Sequence, residues 1–433
     1  MERRNFIKNT GLAAAGVLAV PYILPSGKLF AATGSRKVNH VVLCMIAGGI
    51  RTNESIHKAE GNLMPNMLKG DESISEDLRH SITKLPIQAA SPLQNYGTLY
   101  KHFRYVDGPV GHFNAHAAML TGKYYKEELN HNLPPSSPTL FEYYRKHQST
   151  LNSSLNSWFI GNPIGAYPSL GFSTHQDYGY QYNANWLGSN LFRDFGKNLR
   201  SNTEEFKNND SFRADLSNAF FQKNFKRANF RENRIFSGQA KDSTQLDDFF
   251  KENISEAINT PDYNPWNLQS SIMNNDMYNV QVAEKVLQAF LPELLVVNMQ
   301  EMDMAHSNFS QYCNNINKAD YALAHLWSTI QNTPSLADDT LLIALPDHGR
   351  NSFSNSIVDS NGRYGIDHSD NEKSRESFCL VMGPEHVVKQ NQQIEKISGE
   401  TIDVLPTIAD ALGFYTDIDS GMLSGRVLNE AFV

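Results

Sequence analysis

The sequence predicts an α/β fold in which a mostly parallel central sheet is covered by helices on both faces. Continuous apolar runs, typical of strands that are buried on both faces of such a sheet, begin at Val41, Leu294, Thr340 and Ser377. Between the second and third runs, apolar residues recur at helical spacing over 316–330. Because strands alternate with helices, parallel pairing is favoured, and functional loops are expected at the carboxyl ends of the strands.

The predicted secondary structure and the amino-acid composition change along the chain. The strands are predicted, in order, over Val41–Ile46, Leu294–Asn298, Thr340–Leu345 and Ser377–Met382. Alanine, methionine and leucine favour a helix within 111–125. Residues 148–286 are rich in Asn, Ser, Phe and Tyr, and this polar-aromatic character favours a helical insertion or cap over a strand-rich core. We therefore expect one α/β domain over 33–433 that carries this insertion.

Composition limits the class of protein. The chain has 433 residues, of which 40% are hydrophobic and 19% charged, so a large domain with a sizeable core is possible. The formal net charge of −8 gives no electrostatic basis for binding nucleic acid, which needs a basic face. Three cysteines are an odd and sparse set that does not predict a disulfide framework, and Cys44 is expected in the core.

The N-terminus resembles a twin-arginine export signal. Arg3 and Arg4 precede a bulky apolar pair and a lysine, and an apolar stretch over 11–24 leads to small residues that end at Ala32. We expect residues 1–32 to be a signal peptide and the mature protein to lie in the periplasm or cell envelope. A membrane anchor is the alternative, although the stretch is short for a span, which needs about 20 residues. No transmembrane span is expected in the mature chain.

Carboxylate and imidazole side chains lie in three loops next to predicted strands. Asp303 and His306 follow the second strand, Asp347 and His348 follow the third, and His368 precedes the fourth. These two groups together form the ligand set of Zn, Mn or Fe. Each loop alone is as readily structural, but the three loops could share one edge of one sheet, so the combination predicts a metal site.

At these residues the sequence resembles the alkaline phosphatase superfamily, which includes sulfatases, phosphodiesterases and metal-dependent phosphomutases. The order Asp-x-x-His at Asp303, Asp-His-Gly at Asp347 and a later histidine at His368 carries the resemblance. Two further segments, Met119–Tyr124 and Ile402–Ile408, look like sulfatase segments. The resemblance covers both ends of the mature chain and not its middle, and it implies an alkaline-phosphatase-like fold.

The resemblance also implies roles for individual residues. Asp303, His306 and His368 would form one metal half-site, and Asp347 and His348 would belong to a second. The metal would be divalent, with zinc expected, as one or two ions. The implied substrate is a small anionic ester or a sulfated or phosphorylated glycan.

Two positions depart from the superfamily pattern. The first strand ends in Gly48-Gly49, where the superfamily normally has Asp-Gly. The nucleophile position corresponds to His112, and that of a sulfatase arginine to His116. No cysteine lies nearby to become formylglycine, which disfavours a standard sulfatase. With these departures the chain looks similar to a branch of twin-arginine-exported bacterial proteins of unknown function that also lack the standard nucleophile.

Three further residues have two interpretations each. His112 and His116 have the His-x-x-x-His spacing that places two imidazoles on one helix face, so they either contact a metal or substrate or pack at the start of the helix. Histidine can also act as a covalent nucleophile. Arg350 either clamps an anionic oxygen or forms a surface ion pair. His112 and Arg350 are the predicted catalytic residues.

Three functional hypotheses follow. The first is an exported metal-dependent hydrolase that acts on a phosphate or sulfate ester through a metal-activated water. The alternative is a non-catalytic envelope binding or assembly protein that retains the alkaline-phosphatase-like fold and has an envelope protein as its partner. A phosphomutase-type isomerase is a weaker third hypothesis, because the export signal argues against a cytoplasmic sugar-phosphate enzyme.

Overall fold

The computed structural model describes residues 34–147, 154–161, 167–188, 239–259, 266–269, 271–369 and 371–433. The expected signal peptide over 1–32 lies outside these residues, as does a large part of the 148–286 region. Among the described residues, no helix is both long and apolar enough to span a membrane.

The described strands form one eight-stranded sheet. They are β1 His40–Ile46, β2 Gly97–Arg104, β3 Ser157–Gly161, β4 Asn185–Gly188, β5 Leu294–Met299, β6 Thr340–Pro346, β7 Glu376–Met382 and β8 Gln392–Ile394. Their order is β4-β3-β5-β1-β6-β7-β2-β8. Of these strands, β7 alone runs antiparallel to its neighbours, β6 and β2. The predicted mostly parallel sheet is therefore confirmed, and each of the four predicted strands is present.

Helices cover both faces of the sheet, as predicted. They are α1 His112–Thr121, α2 Leu140–His147, α3 Gln239–Asn259, α4 Asn275–Phe290, α5 Phe309–Asn332 and α6 Val404–Ala411. Successive side chains of β1 point to opposite faces. Val42 and Cys44 pack in one core cluster with α3, α4 and α5, whereas Val41 and Leu43 pack in a second cluster with α1, α2 and α6. Cys44 is a buried free thiol, as expected.

The middle region differs from the expectation of a helical insertion. Within 148–286, α3 and α4 are helical, but β3 and β4 belong to the central sheet, and β3 pairs with β5. These strands have only five and four residues, so they do not stand out from the surrounding polar-aromatic sequence. The boundary between a domain and an insertion stays a prediction.

The centre of the sheet brings several loops to one edge. β1, β5 and β6 are parallel neighbours that end in register, since Ile46 lies opposite both Met299 and Pro346. β2 ends at the same edge and leads towards α1, while the antiparallel β7 begins there. The loops that were predicted to carry metal ligands therefore all start or end at this edge, which is where ligands usually bind in such sheets.

A buried carboxylate far from this edge provides a pH-dependent contribution to stability. Both oxygens of Asp320 on α5 accept hydrogen bonds, from the backbone N–H groups of Asn66 and Met67 at 2.8 Å and from Asn66 Nδ2 at 2.9 Å. Burial raises the pKa of Asp320 from 3.8 to about 7. Ionisation of this group therefore opposes folding.

We expect this contribution to be fully present below pH 3.8 and to be lost as the pH rises through about 7. Urea unfolding of the wild type and of Asp320→Asn between about pH 4 and pH 8 checks it. The free energy of unfolding of the wild type should fall with rising pH relative to that of the variant, because the variant has no group to ionise there. Parallel curves for the two proteins would contradict the assignment.

Candidate metal centre

Asp347 directly follows β6 and is fully buried. Its Oδ1 accepts hydrogen bonds from the backbone N–H groups of Gly49 at 2.9 Å and His348 at 3.0 Å, and its Oδ2 accepts one from Gly48 at 3.2 Å. Burial alone would raise the pKa of Asp347, but the imidazole of His112, 2.8 Å from Oδ2, holds it well below the ordinary value. The carboxylate is thus fixed and ionised at the floor of the site.

The loop after β1 passes so close to the site that no side chain fits at Gly48 or Gly49. Gly48 has φ +106° and Gly49 has φ +73°, backbone conformations that favour glycine. A Cβ atom at Gly48 would lie 2.3 Å from the backbone nitrogen of Asp303, and one at Gly49 would lie 2.9 Å from the His348 ring. This close approach explains why no aspartate ends the first strand.

Asp303 and His306 lie on a 3₁₀ helix over Glu301–His306 that follows β5. Asp276 on α4 fixes the start of this helix by accepting hydrogen bonds from the backbone N–H groups of Gln300 at 2.6 Å and Glu301 at 3.1 Å. The spacing of three residues brings His306 Nε2 within 3.1 Å of Asp303 Oδ1. Both side chains are partly exposed, so they form the solvent side of the site.

Two imidazoles, one buried and one partly buried, present the tautomer that binds metals. His348 Nδ1 lies 2.7 Å from the carbonyl oxygen of Gly349, and His368 Nδ1 lies 2.9 Å from that of Val110. A carbonyl can only accept, so the hydrogen-bond network assigns the proton to Nδ1 in both rings and leaves Nε2 of each ring as the acceptor that a metal can bind. Burial lowers the pKa of His368 to about 4 and that of His348 well below its ordinary value. Both rings are therefore neutral.

Asp367 is a hydrogen-bond acceptor, but not for its neighbour His368. Its Oδ1 lies 2.7 Å from His306 Nδ1 and accepts a hydrogen bond from Asn355 Nδ2 at 2.9 Å. A carboxylate on the far nitrogen orients the ring of a metal-binding histidine and makes it more basic. Asp367 thus directs His306 Nε2 towards Asp303.

His112 is the first residue of α1 and lies between the two sets of ligands. Its Nδ1 is 2.8 Å from Asp347 Oδ2 and 3.0 Å from His348 Nε2, and its Nε2 is 2.9 Å from Asp303 Oδ1. Burial lowers the pKa of His112, but the carboxylates of Asp347 and Asp303 outweigh this effect and raise it to about 9. His112 therefore contacts residues of both sets, and its catalytic role stays a prediction.

The structure brings together all five residues that were predicted as metal ligands. One group joins Asp303, His306 and His368 with His112, and a second joins Asp347 and His348 with His112; within each group the ligand atoms lie within 4.8 Å of one another. This is the division into half-sites that the resemblance implies. The donors fit a divalent transition metal, because imidazole nitrogens in the ligating tautomer converge with carboxylate oxygens.

His116 does not join His112 in the site. It is fully buried, its Nε2 lies 3.1 Å from Asn298 Oδ1, and its Nδ1 contacts the backbone carbonyl of His112. The interpretation of His116 as a metal or substrate ligand is therefore wrong. Although the two residues are four apart on α1, His116 points towards β5, where it anchors the first turn of the helix.

Arg350 has neither of the two predicted roles. Its side chain is fully buried, and its guanidinium donates hydrogen bonds to the backbone carbonyls of Gly48, Gly49 and Ile366 and, at 2.9 Å, to Asp303 Oδ1. It therefore cannot clamp a substrate anion or form a surface ion pair. Arg350 donates hydrogen bonds to backbone carbonyls of two separate loops, and it therefore stabilises their positions on either side of the site.

We expect Arg350→Lys to lower the free energy of unfolding by about 3 kcal/mol. A lysine ammonium cannot reach Gly48, Ile366 and Asp303 at once, so buried carbonyls lose their donors. Urea unfolding measures the effect. The control is Arg426→Lys, which alters a half-exposed pair with Glu430 and should cost less than about 1 kcal/mol. Equal losses in the two variants would contradict the structural role of Arg350.

Sequence reasoning missed Tyr167, which lies beside the site. Its backbone has φ +45°, an uncommon conformation for a bulky residue that tends to occur at functional sites. Its hydroxyl accepts a hydrogen bond from Gln300 Nε2 at 3.2 Å, and its ring contacts those of Phe113 and His116 edge-on at 5.0 and 5.4 Å. No local motif marks this tyrosine, because its partners are distant in sequence.

Comparisons with protein-family models and with curated proteins give no match. Comparison with solved structures finds similarity to members of the alkaline phosphatase superfamily. A protein in that superfamily from Vibrio parahaemolyticus is 12% identical, with a TM-score of 0.45, over 95% of this chain and 74% of that one. The alkaline phosphatase PafA is 11% identical, with a TM-score of 0.49, over 93% of this chain and 100% of that one. The phosphonate monoester hydrolase of Agrobacterium radiobacter is 13% identical, with a TM-score of 0.46, over 90% and 76%.

Proposed function

We propose that this protein is an exported metal-dependent hydrolase that acts on a phosphate or sulfate ester. The observation that carries the proposal is the convergence of two ligand groups, joined at His112, at the carboxyl edge of the sheet. Zinc is the proposed metal, because imidazole nitrogen and carboxylate oxygen are its usual ligands outside cysteine sites. The proposed substrates are small anionic esters and sulfated or phosphorylated glycans.

Each ligand group has a distinct position in this proposal. Asp303, His306 and His368 would hold an ion on the solvent side, and Asp347 and His348 would hold one at the buried floor. When bound, such ions polarise an ester oxygen and lower the pKa of water. Asp303 is 42% exposed, whereas Asp347 is fully buried, so an ester would reach the centre from the side of Asp303.

The hydrolase proposal is tested with the purified mature chain. Its metal content is measured, and it is assayed on p-nitrophenyl phosphate, bis-p-nitrophenyl phosphate and p-nitrophenyl sulfate. We expect turnover of at least one ester that is lost with a chelator, restored by zinc and abolished in Asp303→Asn. The control, Asp359→Asn, alters a carboxylate of the 350–368 loop that accepts the Ser310 N–H outside the centre, and it should keep activity. Turnover without stoichiometric metal would refute the proposal.

One observation favours the alternative of a non-catalytic envelope binding or assembly protein. No hydroxyl or thiol side chain stands at position 112, and His112 is engaged on both ring nitrogens. In that case the purified protein would bind metal and turn over none of the three esters.

Export is tested separately from chemistry. We expect the periplasmic protein to begin after Ala32, and replacement of Arg3 and Arg4 by lysine should keep the chain in the cytoplasm. Unchanged export of that variant would remove the twin-arginine route from the proposal.

A further inference from the structure

We propose that the imidazole of His112 is a ligand shared by two metal ions, one at each ring nitrogen. The inference rests on the proposed metal centre and deepens it, since it gives the number of ions and the group that links them. It also assigns His112 a role other than that of a nucleophile.

The two ring nitrogens of His112 face in different directions. Nε2 of His112 faces Asp303 Oδ1 at 2.9 Å, on the solvent side of the site. Nδ1 faces the buried floor, with Asp347 Oδ2 at 2.8 Å and His348 Nε2 at 3.0 Å. The two nitrogens of one ring therefore belong to two different ligand groups. Among the described residues, His112 is the only one that occurs in both groups.

The donor atoms at the floor of the site have the spacing of ligands to one ion. Zinc–ligand distances of about 2.0–2.2 Å place two donors of one tetrahedral ion about 3.3 Å apart. At the floor, the distances among His112 Nδ1, Asp347 Oδ2 and His348 Nε2 are 2.8, 3.0 and 3.6 Å. These three atoms form a triangle of the size of one face of a coordination tetrahedron.

The solvent-side group has similar spacing. Asp303 Oδ1 lies 2.9 Å from His112 Nε2, 3.1 Å from His306 Nε2 and 3.9 Å from His368 Nε2. Small movements of side chains would bring all four atoms to the spacing of a tetrahedral ion. The floor group reaches three donors only with Nδ1 of His112, and the solvent-side group gains a fourth donor from Nε2 of the same ring.

Packing fixes the orientation of the His112 ring. His112 is 11% exposed, and its ring stacks on His348 with centroids 4.8 Å apart and an angle of 19°. Its backbone carbonyl contacts His116 Nδ1. The stacking and the low exposure hold the ring between the two groups, and the carbonyl contact fixes the backbone from which it extends.

The metal-free ring lies between Asp303 and Asp347 and has an N–H at each nitrogen. Each of the two ions displaces one of these protons to solvent, with no transfer of electrons. The competing arrangement is an imidazolium that donates one hydrogen bond to Asp303 and one to Asp347. That arrangement places no ion between His112 and either carboxylate, so the number and coupling of bound ions distinguish the two.

The experiment uses the metal-free mature chain titrated with Zn²⁺ and, separately, with Cu²⁺. We expect two ions per chain by elemental analysis. With Cu²⁺ at both positions, the electron paramagnetic resonance spectrum should show two spins coupled through the ring, and not the sum of two isolated ions. X-ray absorption should show no second metal at the about 3.5–4 Å that is usual for two-metal hydrolytic centres.

The test variant is His112→Ala, and the control is His57→Ala, an exposed histidine outside the site. His112→Ala should bind at most one ion, with the spectrum of an isolated Cu²⁺, while His57→Ala should match the wild type. A wild type with one ion, or with two uncoupled ions, overturns the inference, and so does a His112→Ala protein with two coupled ions. The wild-type spectrum decides alone if His112→Ala does not fold.

The outcomes separate this inference from the proposed activity. Two coupled ions without ester turnover would support the shared ligand and reject the hydrolase. Ester turnover by a protein that binds one ion would support the hydrolase and reject the shared ligand.

Discussion

Asp347→Asn should lower metal affinity at the buried floor of the site by at least about 100-fold, and any ester turnover with it. The substitution keeps the size of the side chain and removes its charge. Since three backbone N–H groups already point at the carboxylate, the new amide N–H₂ must oppose either one of these donors or His112. Elemental analysis of the purified variant after dialysis against a low concentration of zinc measures the loss.

Asp320→Asn provides a matched control. Asp320 is also fully buried and also accepts three hydrogen bonds from N–H groups, but no imidazole contacts it. Its replacement should change stability and leave metal content intact. If Asp347→Asn kept the wild-type metal content, Asp347 would not be a ligand.

Gly48→Ala should lower the free energy of unfolding by about 3 kcal/mol or more, or prevent folding. The new Cβ would lie 2.3 Å from the backbone nitrogen of Asp303 and 2.7 Å from the carbonyl carbon of Met302. Neither segment can retreat easily, because Arg350 donates to the carbonyl of Gly48 and to Asp303. Soluble yield and urea unfolding measure the effect.

Gly362→Ala separates backbone strain from crowding. Gly362 also has a positive φ, +80°, but nothing lies within 4 Å of the position of its Cβ. Its replacement should cost about 1 kcal/mol, the price of the backbone conformation alone. Equal losses of the free energy of unfolding in the two variants would show that crowding at Gly48 does not contribute to the effect.

The sequence was sufficient for the architecture and for the grouping of the candidate ligands at one edge of the sheet. Buried strands of a parallel sheet leave continuous apolar runs, and their carboxyl ends must meet at one edge. Asp303, Asp347 and their neighbouring histidines could therefore be grouped before any contact was known. His112 could be added because the resemblance aligned it with a functional position.

The roles of Arg350 and His116 could not be predicted in the same way. Each depends on which surface the side chain meets, and that surface comes from a segment far away in sequence. The carbonyls that surround Arg350 belong in part to the loop after β1, about 300 positions earlier. Similarly, the direction of His116 is set by Asn298 on β5. The two short strands within 148–286 were not predicted from the sequence, because a pattern of four or five residues is too brief to be distinctive.

The burial of Arg350 has a consequence for the electric field at the mouth of the site. The guanidinium lies 2.9 Å from Asp303 and is fully buried, yet it offsets one of the negative charges that face the centre. With divalent ions in place, their charge would exceed that of the remaining carboxylates, and the mouth would present a net positive potential. An anionic ester would then be drawn inward by long-range attraction, at a rate that falls as ionic strength rises.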